Sequence, residues 1–204
     1  MGGYQQFAPL PSDETIRLGW PTPNQSLLTN PARYFASTRA NPDYGKPGWT
    51  RDCGKRFHRG CDIAPLSASA TGQTTRVLFT DCATGKDYES IEPTFVPHDP
   101  VFCVFAGVVS ERVEDENASD FGRHLVIEHR WPKSGEKFYT LYGHLRALSA
   151  GGAAAAGQQI GWMGQTSRIA DARNWMLIAP HLHFEVWNQA KEPYDPVEFL
   201  RRFL

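Results

Sequence analysis

Pro180-His181-Leu182-His183-Phe184-Glu185-Val186-Trp187 alternates polar and apolar side chains at every second position. Residues two apart in a β-strand share a face. Leu182, Phe184 and Val186 therefore form a core face, and His181, His183 and Glu185 form the opposite one. Two imidazoles on one face stand about 7 Å apart along a strand, close enough to serve one site. A solvated polar face has the same pattern, so this strand alone leaves both readings open.

Similar short β-type runs occur upstream at Cys61 to Ala64, Val101 to Ser110, His124 to His129, Phe138 to Leu145 and Gln159 to Met163. Polar or Gly-rich turns separate them, which predicts a mostly β protein with an antiparallel β-sheet core. Pro65 to Asp99 is polar, turn-rich and carries Cys82, and reads as a long loop insertion. Residues 1–56 are rich in Pro, Gly, Asn and Ser and read as an extended N-terminal segment packed on a core domain at 57–197. Asn30-Pro31 offers a cap and a proline at the first helical position. Asp195-Pro196-Val197-Glu198 repeats that signal and predicts a short C-terminal helix running to Leu204, with 198–204 as its end.

Composition narrows the function classes. Among 204 residues, 21 Lys and Arg against 22 Asp and Glu give a net charge of −1. That balance lacks the basic field on which nucleic-acid affinity depends, so no nucleic-acid partner is expected. The longest apolar run, Val101 to Val109, is broken by Gly107 and is far short of the roughly 20 residues of a membrane-spanning helix. Cys53, Cys61, Cys82 and Cys103 form an even set, compatible with two disulfides or with buried thiols. Met1 to Gln6 has neither a basic nor an apolar stretch, so no signal peptide is visible.

The histidines cluster with other chemistry-bearing residues. In His58-Arg59-Gly60-Cys61-Asp62, four residues of extended strand would separate the ends by roughly 13 Å. A bend at Gly60 brings both side chains to one point; an isolated surface ion pair is the alternative. In Tyr139-Thr140-Leu141-Tyr142-Gly143-His144-Leu145, strand alternation puts Leu141 and Leu145 on one face and Tyr142 and His144 on the other. A catalytic zinc takes three protein ligands drawn from His and carboxylate side chains and keeps one position open. Two His, one Asp and two further His meet that requirement. The chain has no His-Glu-x-x-His, so a zinc hydrolase built from it must move protons with something other than that motif's Glu, and the spare imidazoles are the candidates.

In this order, His58 to Asp62, Tyr142 to Leu145 and His181 to Glu185 resemble the motifs of the lysostaphin and LytM type of zinc endopeptidases, which cut peptide bonds in bacterial peptidoglycan. The likeness runs over about residues 57–197 and includes Val104 to Val109, Leu125 to His129 and Gly157 to Gly161. It implies that His58, Asp62 and His183 bind Zn2+ and that His144 and His181 are the catalytic pair. Tyr142 is either a substrate contact or, as the preferred reading, a packing residue, and His129 stays structural. Peptidoglycan stems or cross-bridges would be the partner, in the periplasm, cell envelope or medium. That location favours disulfides, expected as Cys53 with Cys61 and Cys82 with Cys103.

Three stretches depart from the family pattern: the insertion at 65–99, the connection Ser167 to Ala179, and Phe35-Ala36-Ser37-Thr38-Arg39 where the family has Phe-Gly-x-Arg. Two competing readings remain. One is a non-catalytic envelope protein of the same fold that binds or regulates a cell-wall hydrolase. The other is a structural zinc site made by Cys53, His58, Cys61 and Asp62.

Overall fold

The computed structural model of the chain describes residues 6–37, 41–168 and 180–204. Thr38 and Arg39, and most of the 167–179 connection, lie outside them. The architecture is mostly β and antiparallel. The main sheet contains β3 (Cys61–Ile63), β7 (Gly107–Val113), β8 (His124–Arg130), β9 (Lys137–Gly143), β11 (Ala153–Ala154), β13 (Leu182–Trp187) and β14 (Pro193–Tyr194). Its order is β11-β7-β8-β9-β13-β14, and β3 also pairs with β13. A smaller sheet, β10-β12-β6, is made of Ala147–Leu148, Gln159–Trp162 and Pro100–Phe102.

The predicted single run from Val101 to Ser110 is thus two strands in two sheets. Gly107 begins the second, where a Cβ would meet the Glu128 carbonyl at 2.4 Å. Only glycine allows β7 to lie this close to β8.

One face of the main sheet builds the core. Phe184, Tyr142 and Leu125 form a row across β13, β9 and β8, and all three are fully buried. Each such side chain contributes roughly 1.5–3 kcal/mol by leaving water. Val101, Cys103, Ile160 and Met163 come from the smaller sheet and its flanks, and Leu10, Leu18 and Leu27 from the N-terminal segment. A helix at Pro196–Phe203, α2, adds Phe199, Leu200 and Phe203. As predicted, Asp195 caps it, accepting from the backbone N–H of Val197 at 2.8 Å and of Glu198 at 3.2 Å. A four-residue helix, α1, spans Pro31–Tyr34.

The opposite face carries a smaller apolar group of Val126, Tyr139 and Leu141, flanked by Phe121 and Trp187. Glu185 pairs with Leu141, which pairs with Val126. His183 and Glu185 therefore stand on this second face.

Two hairpins project from the body: β1 (Gly48–Arg51) with β2 (Arg56–His58), and β4 (Ala68–Thr80) with β5 (Asp87–Pro97). The predicted loop insertion is thus a long hairpin. Its β-branched residues, such as Thr74, Thr75, Ile91 and Val96, favour strands. Strand periodicity is absent because nearly all described side chains of both strands meet solvent, Pro97 excepted. A lone two-stranded hairpin is marginal in water, and a disulfide holds this one at its tip.

That disulfide joins Cys53 to Cys82, while Cys61 and Cys103 are buried free thiols. Both expected pairings are therefore incorrect. Cys61 flanks Asp62 on the core side of β3, opposite Phe184, so its sulfur points away from the turn that carries Cys53. Cys103 packs in the core with its Sγ 2.9 Å from the Phe105 carbonyl.

Candidate functional site

The site begins with a cross-strand pair. On β13, His183 lies opposite Asp62 of β3 on one side and Gly143 of β9 on the other. His183 Nδ1 is 2.9 Å from Asp62 Oδ1. β2 ends at His58, and the chain bends through Arg59 and Gly60 into β3. A Cβ on Gly60 would lie 2.7 Å from His183 Cε1 and 2.7 Å from the Phe184 carbonyl, so the bend needs glycine. It carries His58 Nε2 to 3.3 Å from Asp62 Oδ1 and 3.3 Å from His183 Nδ1.

The hydrogen bonds behind these three residues fix which atoms point inward. His58 Nδ1 donates to the Lys46 carbonyl at 2.8 Å, leaving Nε2 with a lone pair. His183 Nε2 donates to Glu185 Oε1 at 2.8 Å, so a neutral His183 offers its Nδ1 lone pair. Glu185 is held in turn by Trp187, whose Nε1–H donates to Oε2 at 2.6 Å, and by Arg59, 3.5 Å away. Phe121 stacks on the His183 ring, with centroids 5.2 Å apart. Two imidazole nitrogens and one carboxylate oxygen thus converge within 4.8 Å, all buried. Buried acceptors aimed at one another fit a divalent cation with nitrogen and oxygen preferences. Among the described residues this is the one such group of His, Cys, Asp and Glu. The alternative set with Cys53 and Cys61 does not form, since one sulfur is in a disulfide and the other in the core.

Beside it stand the two remaining histidines. His144 follows β9 with φ of 62°, a left-handed conformation that costs a non-glycine residue roughly 1–3 kcal/mol. Its backbone N–H donates to the Phe121 carbonyl at 2.7 Å, and its Nδ1 to the Thr166 carbonyl at 2.8 Å. These bonds hold the strained residue and direct Nε2 away from Thr166. His181 enters β13 through a bridge to Gly164. Its ring centroid is 4.8 Å from that of His144, and its Nε2 is 3.7 Å from Asp62 Oδ1.

Tyr142 is elsewhere. Its side chain is fully buried on the core face, where its hydroxyl accepts from the Val104 N–H at 3.0 Å. It does not reach the site face, and a role in touching substrate is withdrawn. Alternation fails between Tyr142 and His144 because the left-handed turn at His144 reverses the side-chain direction. His129 is also buried in the core, between the Ala106 carbonyl at 3.0 Å and Thr140 Oγ1 at 2.8 Å.

The electrostatics follow from dryness and crowding. Burial alone would raise the Asp62 carboxyl, but the Arg51 guanidinium and then His181 and His58 hold it well below the usual carboxylate range. Burial pushes His58 down. Burial, then His181 and His183, push His144 well down, so it is neutral at neutral pH. Burial opposes a charge on His183 too, yet its hydrogen bonds to Asp62 and Glu185 raise it. Arg51, Glu185, Phe121 and Thr166 all support the site, and sequence reasoning assigned none of them a role. Only Glu185 had a signal, its place on the polar face of β13.

Residues 87–196 match the model of peptidase family M23. That span includes His144, His181 and His183, whereas His58 and Asp62 precede it. No curated protein sequence matches the chain. Among solved structures, the catalytic domain of the antimicrobial peptidase lysostaphin from Staphylococcus simulans aligns at 21% identity and a TM-score of 0.47, covering 78% of this chain and 90% of that one. The catalytic domain of a prophage-encoded M23 protein from Enterococcus faecalis, as a point mutant, aligns at 19% identity and a TM-score of 0.40, covering 69% and 77%. A zinc-containing peptidase from Vibrio cholerae aligns at 25% identity and a TM-score of 0.39, covering 70% and 40%.

Proposed function

The chain belongs to peptidase family M23, and from that premise we propose that it is a zinc-dependent endopeptidase hydrolysing peptide cross-links of bacterial peptidoglycan. The observation that carries this reading is the convergence of His58 Nε2, Asp62 Oδ1 and His183 Nδ1 beside a second pair of buried imidazoles. His58, Asp62 and His183 hold the zinc, and His144 and His181 are the catalytic pair. Bound there, zinc supplies Lewis acidity toward a peptide carbonyl and an attacking water.

The protein side chains supply proton transfer and charge stabilisation. A neutral imidazole can take a proton from the attacking water, and its partner can stabilise the developing oxyanion or protonate the leaving amine. His144 arrives neutral and with a defined tautomer, because its Nδ1–H is committed to Thr166. Glu185 holds His183 in the tautomer that presents Nδ1. An envelope, periplasmic or secreted location accords with the Cys53–Cys82 disulfide, since such bonds persist in oxidising compartments. Among the described residues no helix is long and apolar enough to cross a membrane.

Purified sacculi test the reading. The wild-type protein with zinc should release cross-link peptides, and chelator should abolish release. His144→Ala should be inactive yet retain one zinc per chain. Intact sacculi after incubation with zinc-loaded wild type would overturn the proposal.

A further inference from the structure

Arg51 is a charged side chain in the wrong place for solvent. It ends β1, and its side chain is only 5% exposed. Nη2 donates to Asp62 Oδ2 and lies 2.9 Å from His58 Nε2. The guanidinium carbon sits 3.8 Å over the Tyr44 ring, a cation–π contact that holds the group in place. Nη1 is buried and makes no hydrogen bond.

The contact with His58 has a specific chemical meaning. His58 Nδ1 carries the ring hydrogen, because it faces the Lys46 carbonyl. Nε2 therefore presents a lone pair, and the Arg51 N–H donates into it. The same lone pair faces His183 Nδ1 and Asp62 Oδ1 across the proposed zinc position. One lone pair cannot serve both an N–H and a metal ion.

Building on the zinc site proposed above, we propose that Arg51 is a resident cation that competes with zinc for His58 and sets the metal affinity of the site. Without metal, the guanidinium satisfies His58 Nε2 and neutralises the buried Asp62 carboxylate. Zinc binding removes the bond to His58. Arg51 then keeps Asp62 Oδ2, leaving Oδ1 as the single coordinating oxygen. Metal loading thus proceeds against a lost buried hydrogen bond and a positive charge retained beside the ion. The arginine thus raises the free zinc concentration at which the site is half occupied.

Zinc competition with a chromophoric chelator, on full-length wild type, Arg51→Met and Arg51→Lys, tests this. Methionine can still pack on Tyr44 but offers neither charge nor N–H. Its zinc dissociation constant should fall by about tenfold or more, given a like charge removed from a dry pocket. In parallel, the melting temperature of the zinc-free Arg51→Met protein should fall, and its rise on adding zinc should exceed that of wild type. Lysine keeps the charge but not the planar guanidinium that lies over the Tyr44 ring and aims Nη2 at Asp62 and His58, so its dissociation constant should fall less, by about threefold. If Arg51→Met does not fold without zinc, Arg51→Lys decides. An unchanged or weaker zinc affinity in a folded variant overturns the competition while leaving the zinc site intact. Wild type that binds no zinc while Arg51→Met binds one ion supports competition at its extreme. Zinc bound by none of the three proteins overturns the zinc site itself, and the competition with it.

Discussion

Glu185→Gln is the substitution that most directly probes how the site is held. The two carboxylate oxygens of Glu185 each accept from a different donor: Oε1 from His183 Nε2–H at 2.8 Å and Oε2 from Trp187 Nε1–H at 2.6 Å. Glutamine has nearly the same shape but one acceptor. Either orientation points its NH2 group at a donor. If the amide faces His183, the imidazole loses the bond that fixes its tautomer and can turn Nδ1 into the protonated nitrogen. If it faces Trp187, the His183 bond survives without its charge. A hydrogen bond to a charged group is worth about 1.5–3 kcal/mol, and outer partners of metal-bound histidines typically change affinity by about 10–100-fold. The two estimates agree, since each tenfold is about 1.4 kcal/mol. The zinc dissociation constant of Glu185→Gln should therefore rise by about 10–100-fold, read by chelator competition at pH 7.5, with the room-temperature circular dichroism unchanged. In a Trp187→Phe background the competing donor is gone and the glutamine oxygen is free to face His183, so the penalty should shrink. A folded Glu185→Gln protein with wild-type zinc affinity would refute the idea that this carboxylate sets the His183 tautomer.

Four other outcomes follow from the geometry. Burial holds His129 down to about 4, against about 6.5 in an unfolded chain. A base with a depressed folded pKa stabilises the protein at pH above about 6.5 and loses that stability as pH falls from there to about 4, here by about 3 kcal/mol in total. Urea unfolding of zinc-loaded wild type and His129→Gln should show the variant losing that much less stability over this range, and parallel pH profiles would contradict it. Gly60→Ala forces a Cβ against the Phe184 backbone carbonyl as well as the His183 ring, so zinc stoichiometry and melting temperature should both drop; a protein with normal zinc content would show that the bend tolerates a side chain. Non-reducing peptide mapping should recover Cys53 linked to Cys82 and alkylate Cys61 and Cys103 only after unfolding. In the chain-entropy view, a cross-link spanning 29 residues is worth about 3–4 kcal/mol, so Cys82→Ser should lower stability by up to that amount, and one that melts like wild type would show that the link restrains only the exposed hairpin.

The strand that carries the site was readable because one of its faces is core. From Leu182 to Val186 a strict period of two separates aliphatic from polar side chains, and the structure keeps that separation. The His58 to Asp62 bend was readable through Gly60, the one residue there that lets the chain fold against β13. The face of Tyr142, though not its packing role, was misread for a local reason. Alternation was projected through Gly143 and His144, and His144 adopts a left-handed conformation that no periodicity reveals. The insertion hid its strands because a hairpin wet on both faces carries no alternation. Arg51 was invisible because it sits in a Pro- and Gly-rich polar stretch, and its role depends on contacts with Tyr44, His58 and Asp62 that only the folded chain creates. Cysteine pairing likewise lies beyond spacing, since four cysteines allow three pairings and the true partners sit on two separate hairpins.

Asp62 and His183 are direct neighbours across a sheet yet stand 121 residues apart in the chain. During synthesis His58 and Asp62, two of the three proposed ligands, leave the ribosome long before His183. β9 is likewise finished first and must wait with one edge open, because β13 pairs with it on one side and with β3 on the other. The centre is therefore incomplete until residues 182–187 have paired with both strands. Translation truncated anywhere upstream of that point yields fragments without a complete centre.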